Sequence, residues 1–240
     1  NLIKELWATE HGERIPDYIT PAMNWDPSPL SKCPDKTSDV SGFNHFWRTM
    51  GLWWAILVDA DFKVPPELKC NVDFQKNTKE AIVEDPDIAP YLELKNNKSG
   101  KKVMNDKQPV TLLPAIYKKI DKLWRNYQGK KDWFGKSRDG SSYFNATEIG
   151  MLDVLCGRIG SGPKKFLRFN KYHSSQGSDI MSAIVKHALA CKTVFVDLST
   201  GDEKVRKVIA KRITQVLLAK MMQLFATNSL RNNFVVLYFE

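Results

Sequence analysis

The chain has 240 residues, of which 42% are hydrophobic and 26% charged, the balance of an ordinary globular protein with room for a sizeable core. No stretch approaches the roughly 20 consecutive apolar residues of a membrane span. Residues 1–20 lack the basic start and apolar block of a secretory leader, so a cytoplasmic protein is expected. The net charge of +9 is concentrated: Lys98 to Arg138 holds twelve Lys/Arg against three acids, which accounts for the whole excess. Such a segment suits a polyanion partner, nucleic acid most often, or a solvated helix face. The cysteines (Cys33, Cys70, Cys156, Cys191) form no C-x-x-C pair, and the histidines (His11, His45, His173, His187) show no metal-ligand spacing. A zinc site and a disulfide scaffold are therefore not expected.

Residues 14–45 are rich in Pro, Asp and Ser and read as irregular. Residues 43–60 carry apolar positions at Phe46, Met50, Trp53, Trp54 and Leu57, the spacing of a buried helix. A short helix is expected over Asn77–Val83, ended by Asp85-Pro86. Residues 95–108 are polar and read as loop. Pro114 opens a helix to about Tyr127, with Ile116, Ile120, Leu123 and Tyr127 recurring every three or four residues and Lys118, Lys119, Lys122 and Arg125 on other faces. Residues 130–142 read as loop. A helix over Ala146–Ile159 is capped by Asn145 and stopped by Gly160.

The character changes near Ser178. A helix is expected over Asp179–Ala190, followed by a buried strand at Thr193–Leu198. A turn ending on Asp202 leads into a long amphipathic helix through Val205, Ile209, Ile213, Leu217 and Phe225. A second apolar strand, Phe234–Phe239, ends at Glu240. Two apolar strands joined by a helix predict a right-handed βαβ unit in a parallel sheet covered on both faces. The organisation expected is a mainly helical region, 1–177, and an α/β portion, 178–240. Glu240 stands where a Walker B carboxylate would hold Mg²⁺ or polarise water. A chain that begins on Asn1 and ends on a strand reads as an internal piece of a longer protein.

The segment from Val194 to Glu240 resembles the HerA branch of the HerA/FtsK ATPases. Asp197-Leu198-Ser199 matches the strand ending in D-L-S, Arg212-Ile213 matches the R-I step of the long helix, and Glu240 matches the first Glu of the E-E-A-H element. The resemblance implies a RecA-like P-loop NTPase core binding ATP and Mg²⁺, interrupted by a large helical insert. It implies an ATPase that drives translocation or unwinding of double-stranded DNA as a homo-hexameric ring. It also implies a partner such as a NurA-like nuclease or a Sir2-like effector, in DNA end processing or antiphage defence. No G-x-x-x-x-G-K-[ST] occurs; the nearest sequence, Gly157–Lys165, lacks the Lys-Ser/Thr pair. A Walker A motif would then precede Asn1, and the piece alone would not hydrolyse ATP.

Arg206, Arg212 and Arg231 are candidate arginine fingers. Lys164, Lys165, Arg168 and Lys171, interleaved with aromatics, are candidate DNA contacts, as is the basic stretch 98–138. Two alternatives stand beside the motor: a non-catalytic helical module that binds nucleic acid or a partner, and a secretion or conjugation ATPase of the VirB4 type.

Overall fold

The computed structural model describes residues 33–72, 74–127, 143–172, 180–199, 203–230 and 234–238. The described residues divide near residue 176 into two compact units. Among the described residues no helix is long and apolar enough to cross a membrane.

The first unit is built round helix α1, Val40–Asp59. Asp39 caps it by accepting from the Gly42 amide at 2.7 Å. Every residue from Arg48 to Trp53 is buried, so the middle of α1 is surrounded rather than amphipathic. Gly51 sits there because a Cβ would strike the Tyr117 ring, whose hydroxyl donates to the Arg48 carbonyl at 3.3 Å. Against α1 pack α3, Leu113–Tyr127, and α4, Ala146–Leu155. Helix α3 turns Ile116, Tyr117, Ile120 and Trp124 inward. Full burial of each isoleucine contributes roughly 1.5–3 kcal/mol.

Helix α4 begins with a capping box. The Asn145 side chain accepts from the Glu148 amide at 2.9 Å, and Glu148 Oε2 accepts from the Asn145 amide at 2.9 Å. The other carboxylate oxygen faces α1: Oε1 accepts from Arg48 Nε at 3.1 Å and lies 3.0 Å from His45 Nδ1. Glu148 is fully buried. Burial disfavours the Arg48 charge, but Glu148 together with Tyr143 and Tyr117 outweighs it and raises the guanidinium pKa. The Tyr143 ring centroid lies 4.5 Å from that guanidinium.

Between α1 and α3 lie helix α2, Lys76–Val83, and four three-residue strands: β1 Lys69–Asn71, β2 Leu94–Asn96, β3 Lys102–Met104 and β4 Lys107–Pro109. Strands β1 and β4 pair antiparallel, as do β2 and β3. The segment expected to be loop at 95–108 is thus largely hairpin. Its turn is held by Asn97 Oδ1, which accepts from the Ser99 and Lys101 amides, with Gly100 at φ +77°. The buried Gln108 amide ties the two sheets together: it donates to the Glu93 and Asn105 carbonyls and accepts from the Glu93 amide.

Helix α4 stops at Leu155, earlier than Gly160. Gly157 adopts φ +66°, and the Arg158 and Gly157 amides donate back to the Asp153 and Val154 carbonyls. This is a left-handed glycine stop. An eleven-residue 3-10 helix follows, Gly162–Tyr172. Its three-residue turn puts Pro163, Phe166 and Phe169 in one inward column, all buried. Phe166 packs edge-on against Trp53 of α1 at 5.5 Å.

The second unit has two described helices, α5 Ile180–Leu189 and α6 Glu203–Ala226. They share a small core of Ile184, Ile213 and Leu217, with Val194 and Val235 against it. The expected α/β architecture, a RecA-like P-loop core with parallel strands, is not what forms. The described sheets are two antiparallel pairs, both in the first unit. Residues 193–198 and 234–238 belong to no sheet. Phe195 is 94% exposed and Phe234, Val236 and Tyr238 are each above 80%. Buried parallel strands need neighbouring strands and covering layers on both faces. Apolar β-branched sequence supplies the propensity for a strand but not its partners.

Candidate nucleic-acid interface

The first unit holds a pocket of about 700 Å³ whose wall comes from α1, α3, the turn after α4 and the start of the 3-10 helix. Helix α3 contributes Lys118, Asp121, Lys122 and Arg125, spaced so that they share one face. The turn after α4 contributes Gly157, Arg158 and Ser161, and the start of the 3-10 helix contributes Pro163 and Lys164. Asp59, at the end of α1, completes the charged lining. The glycine stop makes this convergence possible, because it reverses the chain after α4 and returns Arg158 towards Asp153. Gly162 has φ +56°, and a Cβ there would sit 3.0 Å from the Val154 carbonyl oxygen, so the turn lies tight on the end of α4.

The pocket wall is an ordered lattice of charges. Asp121 is nearly buried and binds Arg158 through both oxygens, at 2.8 and 2.5 Å. It also accepts from Arg125 Nε at 3.1 Å. Asp153 accepts from Arg158 Nε at 2.8 Å and Arg125 Nη2 at 2.5 Å. Such bidentate, charge-assisted bonds fix the guanidinium planes. Burial would lower the Arg158 pKa, but Asp121 and Asp153 outweigh it and hold the group above its ordinary value. Beside them, burial first and then Asp121 push the Cys156 thiol up to about 11. That thiol is therefore not a nucleophile at neutral pH.

Lys118 pairs with Asp59 at 2.5 Å. Lys122 and Lys164 are both exposed, and among the described residues neither has a hydrogen-bond or ion-pair partner. The acids thus compensate the arginines and Lys118 and leave two ammonium groups facing one concavity. Uncompensated charge lining a cleft raises the local concentration of anions.

The structure separates the residues singled out in the sequence. Lys164 lines the pocket, whereas Lys165 and Arg168 occupy a different column of the 3-10 helix and are half-buried. The Arg168 guanidinium lies 4.9 Å from the Phe169 ring centroid. The side chain of Lys171 lies outside the described residues. Of the basic stretch, Lys118, Lys122 and Arg125 reach the pocket, while Lys119 pairs with Asp85 at 2.6 Å. Arg206 and Arg212 lie six positions apart on α6, which puts them about 240° apart round the helix, on different faces. Asp197 is exposed and accepts from the Ser199 amide at 2.8 Å, a local turn. Glu240 and Arg231 lie outside the described residues. Among the described residues no three His, Cys, Asp or Glu side chains are grouped to hold a metal ion. Arg158 escaped the sequence reading; its signal was the glycine at 157 that turns it back.

Protein-family models, curated proteins and solved structures give no match to this chain.

Proposed function

We propose that the helical unit, residues 33–172, binds nucleic acid through the phosphate backbone at this pocket. The observation that carries the reading is the meeting of Lys122 and Lys164, both uncompensated, on one concave surface from separate elements. The arginine lattice beneath them supports the reading, because it holds the wall rigid without neutralising the rim. Lysine is suited to the role: a compact ammonium on a flexible stem follows phosphates without reading bases. Binding of this kind has little sequence preference and is strongly weakened by salt.

Duplex DNA, the partner implied by the sequence resemblance, is the first ligand to test. Titration of labelled duplex with the full chain at several salt concentrations should give a linear fall of log K with log salt. Lys122→Gln with Lys164→Gln should reduce the slope by about 2 and weaken binding on every sequence tested. An unchanged slope in the double variant would exclude the pocket as the contact surface.

A further inference from the structure

We infer that the pocket selects a phosphate monoester, the group at the end of a strand, over the diesters along it. The inference rests on the reading of the pocket as a nucleic-acid site and adds which part of the nucleic acid enters. Charge matching is the first ground. A backbone diester carries one negative charge, whereas a monoester carries about −1.5 to −2 at pH 7. Two uncompensated ammonium groups, Lys122 and Lys164, face the cavity. One diester leaves half of that positive charge unmatched; one monoester matches it. Size is the second ground. The site is a concavity of about 700 Å³ in one unit, large enough for a terminal nucleotide with its monoester. The third ground is the wall. Arg158 and Arg125 are already tied to Asp121 and Asp153. Both guanidinium groups line the pocket and are held in place before any ligand arrives, which makes the site preorganised. The Ser161 hydroxyl adds a neutral donor.

The same chemistry is offered by a free nucleotide or inorganic phosphate, and the experiment separates these from a strand end. Binding of the full chain is measured to one short duplex with 5′-phosphate, 3′-phosphate or hydroxyl ends, and thermal stability is measured with inorganic phosphate alone and with a nucleoside monophosphate. A strand-end site predicts at least about 5-fold tighter binding of a phosphorylated end. That preference should fade below pH 6, where the monoester gains a proton, and vanish in Lys122→Gln and in Lys164→Gln while weaker binding to hydroxyl-ended duplex remains. Both lysines are exposed, and melting of the variants without ligand controls for folding. Equal, salt-sensitive binding of all three ends overturns the inference and leaves the backbone-binding reading standing. Stabilisation by inorganic phosphate or the mononucleotide without duplex binding overturns that reading and keeps the monoester site. Neither response overturns both.

Discussion

The two units of this chain are held by different amounts of the same forces. The first, around α1, encloses a continuous set of fully buried side chains from Met50 to Phe169 and a buried polar bridge at Glu148. The second has three buried residues at its core, Ile184, Ile213 and Leu217. Its α6 leaves Leu218, Met222 and Phe225 exposed. Both sequences are rich in apolar residues, so composition does not account for the contrast. What differs is closure: in the first unit three helices and a 3-10 helix surround one another, whereas α5 and α6 present one face each. An apolar residue contributes only when another element covers it.

The largest expected effect tests the polar bridge. Glu148→Gln removes the charge opposite buried Arg48 and should destabilise the first unit by about 3–5 kcal/mol, read from denaturant midpoints. A loss under about 1 kcal/mol would mean the bridge is incidental to the packing. Next come the cores themselves. The four described tryptophans, Trp47, Trp53, Trp54 and Trp124, all lie in the first unit, so with Trp7 replaced by Phe the fluorescence reports that unit, while far-UV circular dichroism reports both. The dichroism should begin to fall at lower denaturant than the fluorescence, a departure from a single two-state transition. Ile120→Ala should shift the fluorescence by about 2–5 kcal/mol. Ile213→Ala should move only the early dichroism phase, and coincident transitions in the parent chain would erase the contrast. The smallest effect is chemical. Burial pushes the Cys70 thiol up to about 12, whereas Cys191, in the second unit, is exposed. A maleimide at pH 7.5 should label Cys191 within minutes and Cys70 only at the rate of global opening. Equal rates would show that the first unit opens as readily as the second.

Much of the first unit was legible in sequence because its signals are local. Ile116 and Ile120 set the α3 face, and Asn145 with Glu148 spells the start of α4 in four residues. The hairpin at 94–104 was not legible, since its Lys- and Asn-rich strands pair outside any apolar alternation. The 3-10 helix hid its period of three, Pro163-Phe166-Phe169, inside a segment notable for its charge. The strand-like runs at 193–198 and 234–238 misled for a non-local reason: propensity is written in a segment, and partners are not. The pocket was half legible. Lys122 and Lys164 each stand in a basic segment of the sequence, but their convergence depends on how α3, α4 and the 3-10 helix settle round α1.

Glu148 is an economy with a consequence for how this chain can vary. One oxygen starts a helix and the other anchors that helix to α1. Aspartate is too short to reach both, and glutamine can keep the start while losing the anchor. Secondary and tertiary structure therefore hang on a single side chain. A neutral drift that exchanges Arg48 for another residue must also find a new way to begin α4's attachment. The two positions, a hundred residues apart, are constrained to change together.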